Sequence, residues 1–110
     1  MRFRHAAVIA LFVPTGAWAG FINGNELKDI CAANDVAGCV AYIMGALDAA
    51  MTLTAWGANT TAPICLPTEA TGGQVKAIVE KYITERPEEL HLSGTSIVLN
   101  AVGLAFPCKQ

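Results

Sequence analysis

Four cysteines in a short chain are the feature that most restricts how this protein can fold. Cys31, Cys39, Cys65 and Cys108 all follow an N-terminal segment with the pattern of an export signal. Exported domains mature in oxidising compartments, where an even number of thiols in a small domain is typical of disulfide bonds. The sequence therefore predicts two disulfides in a small extracytoplasmic domain.

Residues 1–19 have the pattern of a cleavable signal peptide. A basic start is followed by an apolar run over residues 6–13 and by a small-x-small sequence that ends at Ala19. The run is about half of the roughly 20 residues that a membrane-spanning helix needs, which argues against an anchor. We expect cleavage after Ala19, a periplasmic location, no membrane span in the mature chain, and one domain over residues 20–110.

The charge of the mature chain restricts its partners. Without the signal peptide, five lysines and arginines face nine aspartates and glutamates, a net charge of −4. Nucleic acids and anionic membrane surfaces require clustered positive charge, so neither is expected as a partner. A basic protein partner is compatible with this balance.

Four stretches have the apolar spacing of helices, and no stretch shows convincing strand alternation. The predicted helices run from about Gly24 to Ala33, from about Gly38 to Ala55, from just after Thr71 to about Arg86, and from about Ser93 to Phe106. Residues 88–91 are predicted to form a short helical turn. The predicted fold class is all-α, a compact bundle of about four helices held by two disulfides.

The fourth predicted helix contains no charged residue, and apolar side chains surround most of its circumference. A helix that is apolar all round is either central to the core or covered by another chain. Complete burial is difficult in a domain of this size. The pattern therefore favours a central helix with surplus apolar surface that serves a homodimer or a partner interface.

Four cysteines allow three pairings, and helix geometry favours one of them. Cys31 ends the first predicted helix and Cys39 begins the second, so a hairpin brings them together. Cys65 precedes the third helix and Cys108 ends the fourth, at the same end of the bundle if those helices are antiparallel. We therefore expect Cys31–Cys39 and Cys65–Cys108. Zinc is the alternative, but the paired C-x-x-C spacing of structural zinc sites does not occur.

The sequence contains few candidates for catalytic residues. His91 is the only histidine after the signal peptide, and the neighbouring Ser93 is better explained as a helix cap. Paired cysteines leave no thiol for nucleophilic catalysis. The acids Glu85, Glu88 and Glu89 lie at a helix boundary, where such runs are usually solvated. We expect no enzymatic activity, no cofactor and no metal.

The segment between the second and third helices has the composition of a loop. It is rich in glycine, proline, threonine and asparagine, and it contains the large side chain of Trp56. Either Trp56 packs over the core, or it is an exposed anchor for a partner. The sequence leaves both interpretations open.

Short phrases spread over nearly the whole mature chain combine into one pattern. They are Gly24-Asn25-Glu26-Leu27, Cys39-Val40-Ala41-Tyr42-Ile43, Ile64-Cys65-Leu66-Pro67, Arg86-Pro87-Glu88, Leu90-His91-Leu92-Ser93 and Ala105-Phe106-Pro107-Cys108. Together with the export signal, this pattern resembles the Rap/Tai family of type VI secretion immunity proteins.

The resemblance implies a periplasmic helical protein, often a dimer, that binds a peptidoglycan amidase toxin delivered by type VI secretion. Inhibition in this family is steric, because a protruding loop and the adjoining helix surface occupy the catalytic cleft of the toxin. Carried onto this chain, the implied contact residues are Trp56, Asn59 and Thr60 in the loop, with Glu88 and Glu89 as further candidates.

A small periplasmic acid-stress chaperone, or another exported helical binding domain, is the alternative function. Such chaperones are also helical, disulfide-linked and dimeric, and they expose apolar surface when their carboxylates are protonated. The nine acidic residues and the uncharged fourth helix are compatible with this alternative.

Overall fold

The computed structural model describes residues 21–58 and 64–108. Over these residues the chain forms the helices α1 (Gly24–Ala32), α2 (Val36–Ala55), α3 (Gly72–Glu85) and α4 (Gly94–Ala105), with a short 3-10 helix, η1 (Pro87–Glu89), between α3 and α4. Extended pairing among the described residues is restricted to two isolated bridges. The predicted all-α fold class is confirmed, as is the helical turn before α4. The predicted signal peptide and its cleavage site lie outside the described residues.

Local sequence explains where the helices begin. Asn23 and Glu26 form a reciprocal capping box at the start of α1. The hydroxyls of Thr71 and Ser93 each accept a hydrogen bond from the backbone N–H three residues later. These side chains satisfy backbone donors that have no partner within the helix, so α1, α3 and α4 start within one residue of their predicted positions.

The start of α2 differs from the prediction. The helix begins at Val36, two residues before the expected Gly38, because Asp35 is its N-cap. The Asp35 carboxylate accepts a hydrogen bond of 3.0 Å from the backbone N–H of Gly38. The predicted helices leave residues 34–37 as a connection, whereas the short carboxylate of Asp35 is well suited to cap a helix that begins within it.

All four helices contribute to one hydrophobic core. Its fully buried large side chains include Leu27 from α1, Ile43 and Leu47 from α2, Val79 from α3, and Val98 from α4. Tyr82 is the one member of this core with a polar side-chain group, and no buried polar side-chain atom among the described residues lacks a hydrogen-bond partner. The helix α4 contacts each of the other three helices and buries Ile97, Val98, Ala101 and Val102 in the core, while its opposite side is exposed.

Both predicted disulfides are present. Cys31 and Cys39 join the end of α1 to the first turns of α2, with 4.8 Å between their Cα atoms. Cys65 and Cys108 join the segment before α3 to the segment after α4, at 5.0 Å. The second link is reinforced by a hydrogen bond of 3.1 Å from the Cys65 N–H to the Phe106 carbonyl. These two bonds account for all four cysteines.

The start of α1 lies directly against the chain that leads into α4. The Gly24 N–H donates to the Leu92 carbonyl at 2.9 Å, and the Asn25 N–H donates to the Leu90 carbonyl at 3.2 Å. A Cβ atom on Gly24 would lie 2.8 Å from both the Cα and the carbonyl oxygen of Leu90. The absence of a side chain at Gly24 therefore permits this backbone contact.

Within residues 21–58 and 64–108, one helix is long and apolar enough to cross a membrane by length and composition. This helix is α2, with 20 residues and a mean hydropathy of 1.6. The central helix of a bundle has the same properties, and the inward face of α2 contributes Cys39, Ile43, Ala46 and Leu47 to the core. We therefore treat α2 as a core helix.

Candidate functional site

The C-terminal part of α2 extends beyond the hydrophobic core. Leu47 is the last buried residue of this helix, although the helix continues to Ala55. Every residue from 51 to 58 is exposed, and no residue from 48 to 50 is buried. We call residues 48–58 the α2 arm. It begins at Asp48 and carries no other charged residue.

The arm ends in a well-defined helix terminus. Gly57 has a φ of +83°, the left-handed conformation that glycine adopts without steric cost. Its N–H donates to the Thr54 carbonyl at 3.0 Å, and the Ala58 N–H donates to the Leu53 carbonyl at 2.9 Å. This pair of bonds is a Schellman motif, which satisfies the last carbonyls of the helix. It fixes the backbone of Trp56, the C-cap residue.

Trp56 is 79% exposed, so the interpretation that it packs over the core is wrong. Met51 and Leu53 are the other large apolar residues of the arm, with exposed fractions of 57% and 44%. Trp56 is recognisable in the sequence as a candidate, but the exposure of Leu53 is not, because helical spacing alone does not show where the bundle beside α2 ends. Asn59 and Thr60, the other loop candidates, lie outside the described residues.

The two acidic candidates on η1 have different environments. Glu88 is exposed, whereas Glu89 is half-buried and already engaged. The Tyr82 hydroxyl lies 2.9 Å from both carboxylate oxygens of Glu89 and donates its proton to them. Arg86 adds a salt bridge to Glu89 at 3.6 Å. Glu89 therefore holds η1 against α3, and its carboxylate is less accessible to solvent than that of Glu88.

Tyr82 is the centre of this cluster. Burial, followed by the hydrogen bond and negative charge of Glu89, raises the pKa of Tyr82 above its ordinary value of 10.0, against a smaller opposing effect of Arg86. The Arg86 guanidinium also lies over the Tyr82 ring, 4.7 Å from its centroid. The sequence showed three nearby acids but gave no sign that Tyr82, one helical turn before Arg86, binds one of them.

A shallow groove of about 250 Å³ lies between α3 and α4. Ile78 and Leu104 line its apolar part, and Lys81 and Glu85 line its charged part. Leu104 is 63% exposed, so α4 has some surplus apolar surface, as predicted. Tyr82, which also lines the groove, donates its hydroxyl proton to Glu89.

The described residues contain no group of three or more histidine, cysteine or acidic side chains that could hold a metal ion. His91 is exposed, and the four cysteines are consumed in disulfides. Two candidate binding features remain, the exposed α2 arm and the acidic helix η1, which Glu89 holds against α3. Both are suited to contact with another macromolecule.

Comparison with known proteins assigns the chain to a family. A family model described as Rap1a immunity proteins matches residues 23–108, from the N-cap of α1 to the final cysteine. Neither the curated proteins nor the solved structures that were compared gave a match. The matched region contains all four helices and both disulfides. This chain belongs to the Rap1a family of immunity proteins.

Proposed function

We propose that this protein acts in the periplasm, where it binds a peptidoglycan amidase toxin delivered by type VI secretion and sterically blocks its catalytic cleft. The observation that carries the proposal is the family match, which spans residues 23–108 and supports an immunity role with a toxin as partner. The protruding α2 arm supports a steric mode of inhibition, because it offers a convex surface that a cleft can accept.

Export is part of this proposal. Residues 1–19 are the signal peptide, cleavage follows Ala19, and the immunity domain is residues 20–110. The pairing of all four cysteines supports it, since such bonds persist in the periplasm and are rare in the reducing cytoplasm. N-terminal sequencing of the protein purified from the periplasmic fraction should begin at Gly20. Retention of residues 1–19, or recovery only from the cytoplasm, would contradict this part.

The toxin is expected to be a cell-wall amidase encoded beside this gene. Expression of that amidase with a periplasmic signal should lyse the host, and co-expression of this protein should restore growth. A variant that lacks residues 1–19 stays in the cytoplasm and is the matched control, which should not protect. The proposal fails if no amidase gene lies nearby, or if the exported protein neither binds nor protects.

A homodimer is also part of the proposal. The exposed Leu104 on α4, beside Ile78 in the groove between α3 and α4, is an apolar surface that a second copy could cover. Sedimentation equilibrium of the mature chain should give the mass of a dimer. Leu104→Glu places a charge on this surface and should shift the equilibrium to monomer. A wild-type mass of one chain would refute the dimer without affecting the immunity role.

A further inference from the structure

The mature chain contains one asparagine that is followed by glycine, Asn23. This dipeptide is especially reactive in deamidation, because glycine has no side chain to hinder its own backbone nitrogen. In the reaction the Gly24 nitrogen loses its proton and attacks Cγ of Asn23. The Cγ–Nδ2 bond breaks, ammonia leaves, and water opens the resulting succinimide to aspartate or isoaspartate. Water is the only other reactant, so the fold alone determines whether this site reacts.

The structure engages the attacking nitrogen in a backbone contact. The Gly24 N–H donates to the Leu92 carbonyl at 2.9 Å, and the Gly94 N–H donates to the Ile22 carbonyl at 2.7 Å. These two bonds lie on either side of Asn23 and pair its segment with the chain that leads into α4. Gly24 is also buried. Hydroxide therefore cannot remove the Gly24 amide proton unless this pairing opens.

The side chain of Asn23 is engaged as well. Its oxygen accepts a hydrogen bond of 3.0 Å from the Glu26 N–H, and the Asn23 N–H donates to the Glu26 carboxylate at 2.8 Å. Rotation of the side-chain amide into position for attack by Gly24 would break the first bond and remove the cap of α1. Both reacting groups are consequently held in other contacts in the native protein.

The product does not fit the native contact. Isoaspartate lengthens the main chain by one carbon–carbon bond, about 1.5 Å. The space around Gly24 is too small for even one added carbon, since a Cβ there would lie 2.8 Å from the Cα and the carbonyl oxygen of Leu90. The longer main chain would separate Gly24 from Leu92 or press it against Leu90. A chain that contains isoaspartate therefore cannot restore this contact.

We propose that Asn23 is a deamidation site that the contact between α1 and residues 90–93 keeps unreacted, and that isoaspartate at this position marks chains in which the contact has opened. Side-chain exposure does not select the site. Asn25, Asn34 and Asn100 are exposed but precede residues with side chains, whereas Asn23 is half-buried. The inference concerns the lifetime of the folded protein, and it holds whether or not a toxin is bound.

The first experiment tests the site. Protein with intact disulfides and the same protein after reduction and denaturation are incubated at mildly alkaline pH, and isoaspartate is measured by enzymatic methylation and peptide mapping. The denatured chain should react at Asn23, and the native protein should react at least about 100-fold more slowly, because the open state is rare. Asn23→Ser is the matched control. Serine retains the cap but has no amide, so the product at this position should disappear.

The second experiment tests the contact. Leu90 is half-buried and packs against the core beside the Gly24 backbone. Leu90→Ala should accelerate deamidation of Asn23 and hydrogen exchange of the Gly24 amide together, since both require the same opening. Leu66→Ala is the matched control, because Leu66 is also half-buried against the core but precedes α3. At equal global stability, Leu90→Ala should react about tenfold faster than Leu66→Ala.

Each outcome decides the inference. It is refuted if the denatured chain forms no isoaspartate at Asn23, or if the native protein reacts as fast as the denatured chain. Equal acceleration by Leu90→Ala and Leu66→Ala would mean that the reaction follows global unfolding, which overturns the link to this contact. If Leu90→Ala does not fold, wild-type hydrogen exchange decides. Gly24 should then exchange faster than the core amide of Val98, and equal rates would overturn the inference. Circular dichroism checks that each variant is folded.

Discussion

Replacement of Gly24 by alanine should destabilise the protein far more than the addition of one methyl group suggests. The new Cβ would lie 2.8 Å from the Cα and the carbonyl oxygen of Leu90, and closer still to the side chain of Ile97. The side chain of Ile97 could rotate, but the Leu90 backbone cannot do so. Its carbonyl accepts the hydrogen bond from Asn25, and α1 is held at its other end by the Cys31–Cys39 bond.

The expected cost follows from this rigidity. Overpacking in a well-packed interior typically costs about 1–3 kcal/mol, and backbone obstruction places Gly24→Ala near the upper limit. Helix propensity offsets little, because Gly24 is the first residue of α1. For a domain of this size, about 1 kcal/mol corresponds to roughly 4–8 °C in the melting temperature. We therefore expect Gly24→Ala to melt about 10–20 °C below the wild type.

Gly45→Ala is the matched control. Gly45 lies within α2, and a Cβ there would meet nothing within 4 Å. Its only effect should be the higher helix propensity of alanine, a gain of about 1 kcal/mol. Thermal unfolding of both oxidised variants, followed by far-ultraviolet circular dichroism, should therefore shift in opposite directions. If Gly24→Ala melts at or above the wild-type temperature, the close contact with Leu90 does not constrain the fold as argued.

Two further predictions concern the disulfides and Tyr82. Cys31 and Cys39 are buried whereas Cys65 is exposed, so dithiothreitol should reduce Cys65–Cys108 first; alkylation and peptide mapping that found equal rates would contradict this. Tyr82→Phe removes the proton donor to a half-buried carboxylate and should lower the free energy of unfolding by about 1.5–3 kcal/mol. Because the folded-state pKa of Tyr82 is raised, its contribution is present below pH 10 and declines as the pH rises further. A wild-type advantage that persists unchanged at higher pH would refute this linkage.

Much of the fold was predictable because its determinants are local. The caps Asn23, Thr71 and Ser93 act within one helical turn, so a short stretch of sequence identifies them. The disulfide pairing followed from helix ends and chain direction. The sequence does not identify Asp35 as a cap, because aspartate is common both in turns and at helix starts. Only the three-dimensional course of the backbone decides between the two.

The candidate site was predictable only in part. The sequence identifies Trp56 as a large side chain between two helices, but both a packed and an exposed position satisfy that pattern. Likewise, three neighbouring acids do not reveal that one of them is bound by Tyr82. In both cases the missing information is which surfaces of other elements lie within reach, and that depends on contacts between residues distant in the chain.

The sequence by itself determined the four helices, the N-caps of α1, α3 and α4, the favoured disulfide pairing and the family resemblance, because hydrophobic periodicity, capping and chain connectivity act over short distances. Only the tertiary structure decided that α2 continues past the last core contact at Leu47, and that Trp56 is consequently exposed. It also decided that Glu89 is engaged and Glu88 is not. The physical reason is that exposure is a property of the assembled bundle: a side chain meets solvent where neighbouring helices end, and no local pattern records their lengths and positions.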